Sequence, residues 1–179
     1  MIYSNSCLVG DFCICRPVKH EDAEFIVLLR QQNPRSTFFS RTSCSVEEQV
    51  KWLNEYDKRH ALGEDYYFIV EQEGGQRVGT TRVYKIDGLE CTIGSWALMP
   101  NTLLYISLES YFAPLFFAFE ELRLEQANLD VRRFNRTVWK WHESCGARFI
   151  KEDSLDRFYF YDTDAYKKAH RRVYELTAK

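Results

Sequence analysis

The chain has 179 residues, with 24 basic and 26 acidic side chains and a formal net charge of −2. Hydrophobic residues make up 45% and charged residues 28%, the balance of an ordinary soluble domain; this excludes a fibrous repeat, a mainly disordered chain and a staple-dependent miniature. A globule of this length buries about 70% of the surface its unfolded chain exposes, so a single domain over residues 1–179 can hold its own core. The near-zero charge gives no reason to expect nucleic acid. No run reaches the roughly 18 apolar residues of a membrane span, and the richest stretch, 111–119, is too short. Six cysteines follow no secretory leader, which leads us to expect buried free thiols in a reduced, cytoplasmic protein.

In chain order, residues 12–16 read as a short first strand ended by Pro17, with Cys13 and Cys15 facing the same way. His20-Glu-Asp-Ala opens a helix to about Arg30, stopped by Asn33-Pro34. Residues 33–44 are polar and irregular. Ser45-Val-Glu-Glu48 is a capping box that starts a second helix fading near Arg59. The period then changes to two. Residues 66–70 and 77–84 form a hairpin across Gly74-Gly75, and 91–98 follows the Asp87-Gly88 turn as a fourth strand. Residues 107–122 return to helical spacing, against the objection of an interior Pro114. Residues 127–132 are the fifth strand. Asn135 can cap a short helix reaching Cys145, with Gly146 just beyond its end. Residues 149–151 and 157–161 return as a final hairpin. The basic segment 167–179 reads as a solvated terminus, with help in holding a phosphate as its functional alternative.

No His-x-x-His or Glu-x-x-His metal arrangement, Gly-x-Ser-x-Gly elbow, Walker loop or dinucleotide fingerprint is present, so no metal is expected. The ordered pieces Cys15-Arg-Pro-Val-Lys-His-Glu-Asp-Ala23, Gln76-Arg-Val-Gly-Thr-Thr-Arg82, Thr92-Ile-Gly-Ser-Trp-Ala-Leu-Met-Pro100, Phe117-Phe-Ala-Phe-Glu-Glu-Leu-Arg-Leu124, and Val131-Arg-Arg-Phe-Asn135 leading into Trp141-His-Glu-Ser-Cys-Gly-Ala147 carry a resemblance. Over about residues 12–161 the chain resembles the Gcn5-related N-acetyltransferase superfamily, in the style of its ribosomal-protein and nucleotide-amino-sugar branches.

The resemblance implies an α/β fold (α+β by some schemes). One mixed, mainly antiparallel sheet is flanked by helices and splays into a V between the fourth and fifth strands. Acetyl-CoA, the cosubstrate, would lie in that opening along the backbone of Leu98 and Met99, with Asn135 on the opposite wall. Asn135 would then divide its side chain between cofactor and helix cap. The family's glycine-rich diphosphate loop is absent here. Residues 101–109 contain neither glycine nor a basic side chain, leaving the helix N-terminus and the hydroxyls of Tyr105 and Ser107.

His142 stands where the superfamily often has a tyrosine acid, and imidazole titrates near neutrality, so it can protonate the departing thiolate. Glu90 is the expected carboxylate base, Glu109 is expected to face away, and Trp96 can wall the acyl group. Acceptor recognition falls to Arg30, Asn33, Arg35 and Phe38, where an Arg can pair with a diphosphate and a Phe can stack on a base. The segment Glu48-Gln49-Val50-Lys51-Trp52-Leu53 is similar to enzymes acting on nucleotide-linked sugars. The expected activity is acetyl transfer to a primary amine by direct attack, on a nucleotide-linked amino sugar. The alternatives are a ribosomal-protein or peptide N-terminus and a degenerate, non-catalytic CoA- or protein-binding domain. Partners would be a small-molecule amine or a protein N-terminus, with no nucleic acid and no membrane, in a monomer or homodimer.

Overall fold

A computed structural model describes residues 1–32 and 45–177. Nine strands form one sheet in the order β1-β2-β3-β4-β5-β6-β7-β9-β8. They are β1 (Ile2–Ser4), β2 (Cys7–Val9), β3 (Ile14–Pro17), β4 (Asp65–Gln72), β5 (Gln76–Asp87), β6 (Glu90–Leu98), β7 (Gln126–Arg132), β8 (Arg148–Glu152) and β9 (Asp156–Asp162). The helices are α1 (Ala23–Gln32), α2 (Val46–Ala61), α3 (Leu104–Phe116), α4 (Arg136–Ser144) and α5 (Thr163–Thr177). Every neighbouring pair is antiparallel except β6 with β7.

Two layers of helix cover the sheet. On one face α1 and α2 bury Ile26, Leu29, Leu53 and Tyr56 against Tyr67 and Ile69 of β4. Each such aliphatic side chain contributes about 1.5–3 kcal/mol on full burial. On the other face α3 and α5 pack Phe112, Leu115, Ala169 and Val173 onto the main core, with Tyr159 and Tyr161 of β9 fully buried there. The helices fall where their caps predict. Ser45 accepts a hydrogen bond from the Glu48 N–H at 3.2 Å and opens α2. Gly146, at φ +96°, takes the left-handed turn after α4.

The sequence reading missed two elements. An N-terminal hairpin, β1–β2, precedes the expected first strand, so the expected fourth and fifth strands are β6 and β7. Its strands have only three residues each, too few for a period-two signal. The basic terminus is a regular helix, α5, anchored by Tyr166 and His170, whose rings stack on Phe112 at 5.6 and 5.1 Å. Pro114 does sit inside α3, and the helix passes straight after it into a π-helical turn, Phe117–Glu121.

Two features fix the opening in the sheet. β6 and β7 pair only at Glu90–Gln126, Cys91–Ala127 and Thr92–Asn128, and then separate. Beyond that point β6 carries an extra residue opposite β5, because Arg82 pairs with Gly94 while Thr80 pairs with Ala97. Ser95 occupies the bulge at φ +50°. Such a bulge bends the strand and raises its twist, turning it away from β7. Gly79 of β5 lets the bulged strand approach, since a Cβ there would overlap the Ala97 carbonyl and the Leu98 side chain.

The expectation of free thiols holds for the described cysteines: Cys7, Cys13, Cys15, Cys91 and Cys145 are free, all buried but Cys7. Cys44 lies outside the described residues. A hydrogen bond to Cys15, together with burial, pushes the Cys13 thiol far up. No helix among the described residues is long and apolar enough to cross a membrane.

Candidate active site

The separated halves of β6 and β7 enclose a cleft of about 740 Å³ that passes through the sheet. On one face it is bordered by α3 and α4, through Leu104, Ser107, Tyr111, Asn135, Val138 and His142. On the other it is bordered by Ile26, Leu29 and Arg30 of α1 with Tyr67 and Tyr84. The cleft is therefore lined from both faces of the sheet.

The α3 side is built by an N-terminal clamp. Glu109 accepts hydrogen bonds from the backbone N–H groups of Asp11, Phe12 and Cys13 at 2.7, 2.9 and 2.8 Å. It faces the N-terminal segment, as expected, and locks the first turns of α3 in place. The first turn carries no side-chain cap and no acidic residue, so its leading N–H groups and the positive end of the helix dipole remain available to an anion. Thr81 of β5 borders the cleft with its hydroxyl buried and without a hydrogen-bond partner among the described residues. Asn135 sits at the N-cap of α4 but makes no side-chain cap hydrogen bond. The cap is supplied by its carbonyl, which accepts from the N–H groups of Val138 and Trp139, so its side chain is not divided between two roles.

The other expected residues separate. Trp96 lines the cleft, its indole N–H donating to the Ser110 hydroxyl at 3.2 Å and its ring packed edge-on to Tyr111. Leu98 and Met99 also line it, but the Met99 N–H donates to the Val78 carbonyl at 2.7 Å. That donor is spent on β5, a correction to the expected pair of backbone contacts. Tyr105 is outside the cleft, stacked on Phe12 at 5.0 Å. Ser107 lines the cleft, and its hydroxyl donates to the Leu103 carbonyl. Arg30 lines the α1 side. Asn33, Arg35 and Phe38 lie outside the described residues.

Glu90 does not reach the cleft. It is at the closed end, where β6 and β7 still pair, and its carboxylate accepts from Gln126 and Asn128 at 3.2 Å each. Entry into β6 placed it next to the opening along the chain, but the strands separate only after Thr92.

His142 does border the cleft, in a different state from the one expected. Its Nδ1 lies 3.1 Å from the Tyr161 hydroxyl and 3.4 Å from that of Tyr111, and the two tyrosine hydroxyls are hydrogen-bonded to each other. Burial lowers its pKa to about 3. The imidazole is neutral at physiological pH, so the imidazolium needed for the expected general acid is absent there. Burial likewise raises Tyr111 well above the ordinary phenol value.

A further wall, not expected from the sequence, is formed by β7. Ala127, Leu129 and Val131 point into the main core. By alternation Gln126, Asn128, Asp130 and Arg132 take the opposite face. Asp130 and Arg132 line the cleft, and Arg132 is ion-paired to Asp156 at 2.7 Å. The row of four polar residues at period two was the legible signal, since a strand covered on both faces has no use for it. Across the cleft the Tyr84 ring lies over Gly94, where a Cβ would stand 3.3 Å from the ring. The Arg82 guanidinium, held by Asp65, backs that ring at 4.3 Å.

A parallel pair that splays at a bulge, with an uncapped helix N-terminus on one side, agrees with the sequence resemblance. The family profile described as "Acetyltransferase (GNAT) domain" matches residues 13–148. The chain belongs to the GNAT acetyltransferase family. Among solved structures it is similar to apo FdhC, described as a nucleotide-linked sugar GNAT, at 29% identity and TM-score 0.84, covering 97% of this chain and 98% of that one. It shares its fold with Mycobacterium smegmatis RimJ in complex with CoA-disulfide, at 16% identity and TM-score 0.76, covering 92% and 90% of the two chains. RimL, the ribosomal L7/L12 α-N-protein acetyltransferase solved with coenzyme A, gives 14% identity and TM-score 0.74 over 88% and 98%. No curated protein sequence gives a match.

Proposed function

We propose that this GNAT protein is an enzyme that transfers the acetyl group of acetyl-CoA to the primary amine of a nucleotide-linked amino sugar. The observation that carries the reading is the end-to-end similarity to a nucleotide-linked sugar GNAT at 29% identity. The proteins named for ribosomal or polyamine substrates share the fold at only 14–16%.

The α3 side of the cleft suits acetyl-CoA. First-turn N–H groups can receive the diphosphate, the unpartnered Thr81 hydroxyl offers a buried donor, and the free side chain of Asn135 reaches in from α4. The cosubstrate supplies a thioester, an acyl group already activated toward amines. Trp96 forms an apolar wall that keeps water from the acyl carbon. The α1 side suits a nucleotide, with Arg30 as a cation beside the aromatic edges of Tyr67 and Tyr84. Arg30 offers a diphosphate a cation that a basic peptide or a polyamine has no use for.

The test is release of free CoA thiol with three acceptor classes: a nucleotide-linked amino sugar, spermidine and a peptide with a free N-terminus. Turnover at least about tenfold faster with the amino sugar is expected. Preference for the peptide or the polyamine would overturn the acceptor assignment. Saturable CoA binding without turnover on any amine would favour a non-catalytic CoA-binding protein.

A further inference from the structure

Acetyl transfer needs an amine with a free lone pair, and neither Glu90, the base expected from the sequence, nor Glu109, expected to face away, supplies a base at the cleft. Glu90 is at the closed end, and Glu109 is committed to three backbone donors. Asp130 differs from both. It lies two residues past the last β6–β7 pair, lines the cleft, and has no hydrogen-bond or ion-pair partner among the described residues. Its position on the face of β7 away from the main core turns it to the α1 side, opposite the α3 turn that suits the diphosphate.

We propose that Asp130 is the general base that takes the proton from the acceptor amine. The proposal rests on the transferase reading above. An acceptor arriving as an ammonium gives one proton to the Asp130 carboxylate, directly or through one water. The freed lone pair forms the nitrogen–carbon bond, the carbon–sulfur bond breaks, and sulfur keeps its electron pair. The second proton of the amine passes through solvent to the thiolate, leaving an amide and a thiol. The carboxylic acid then returns its proton to water.

The surroundings favour proton uptake. Asp130 is open to solvent on one side, yet partial desolvation raises its pKa and the negative charges of Asp156 and Asp153 raise it further, while Arg132 and Lys85 oppose them. Tyr84, the ionisable group facing it from β5, is itself raised by burial and by the Asp130 charge, so it stays a neutral phenol. The active form is the carboxylate. Activity therefore falls as pH drops through a value above the ordinary carboxylate pKa.

The experiment compares the wild-type protein with Asp130→Asn and Asp130→Glu, using acetyl-CoA and the best acceptor found above. For Asp130→Asn we expect kcat/KM to fall about 100- to 1,000-fold, with CoA affinity by calorimetry unchanged. The acidic limb of the pH profile should vanish, and Asp130→Glu should recover part of the rate. In ¹³C-aspartate-labelled protein, a carboxyl resonance missing from Asp130→Asn should titrate above the ordinary aspartate value and match the kinetic limb. Wild-type rates in Asp130→Asn, or an unchanged acidic limb, would overturn the assignment and leave the transferase reading standing. Turnover on a polyamine or peptide that still depends on Asp130 would overturn the sugar assignment and keep the base. A wild-type protein that binds CoA but acetylates no amine overturns both.

Discussion

The same two strands, β6 and β7, behave differently at their two ends. At the closed end Glu90, Gln126 and Asn128 satisfy one another and the backbones pair. At the open end, beyond Thr92 and around the Ser95 bulge, the backbones part and Asp130 has no hydrogen-bond or ion-pair partner among the described residues. A carboxylate at each end is thus either a structural acceptor or a candidate reagent. What separates them is whether the neighbouring strand is still within reach. A functional site in this fold is a place where pairing has been withheld.

The strongest way to break that contrast is to restore the pairing. Deleting Ser95 removes the extra residue and leaves Trp96 alone opposite Thr81, with Ala97 and Leu98 still opposite Thr80 and Gly79, so the strand loses its bend and extends regularly beside β7. We expect acetyl transfer to be lost and CoA binding to weaken more than about 100-fold, by at least about 3 kcal/mol in calorimetry. The folded protein should persist, by circular dichroism. Retained CoA affinity would show that the bulge does not hold the cleft open.

Parallel replacement of the two carboxylates sharpens the contrast directly. Glu90→Gln should keep kcat/KM within about threefold of wild type, against the large loss at Asp130→Asn. Equal losses would place the base at the closed end after all.

His142 tests the neutral network beneath the cleft. Its ordinary pKa of 6.5 applies in the unfolded chain, and burial lowers it to about 3 in the folded one. The unfolded state therefore binds more protons as pH falls below about 6.5, and stability is lost through that window. The loss amounts to on the order of 3 kcal/mol by pH 4. His142→Phe should flatten denaturant-derived stability between pH 6.5 and 4, with kcat at neutral pH within about tenfold of wild type. A kcat loss of several hundredfold together with an unchanged acid dependence would instead restore the acid role.

The smallest effect concerns Thr81. Its buried hydroxyl has no partner among the described residues, so Thr81→Val should stabilise the ligand-free protein by about 1 kcal/mol in thermal unfolding. The same change should weaken CoA binding severalfold. Equal or tighter binding would remove Thr81 from the cofactor wall.

Much of this molecule is written in local chemistry. The Ser45 capping box, the hairpin across Gly74-Gly75, the strand into Leu98 and the turn at Gly146 follow from residue preferences that act over a few positions. They yielded the element order, and with it the family resemblance and the opening between two strands. Two elements escaped: β1–β2, too short for a period, and α5, whose apolar stripe was hidden behind its basic residues. The tertiary structure alone decided the state of each site residue. Trp96, Asn135 and His142 came to the cleft, while Glu90 and Tyr105 did not, although nothing in their own sequence neighbourhoods distinguishes them. Only the packed fold shows that β6 and β7 stop pairing after Thr92, that the Asn135 side chain is released from its cap, and that His142 is dry enough to stay neutral. Spacing fixes which residues share a strand face. Charge state and access depend on the water and partners that distant segments exclude or supply.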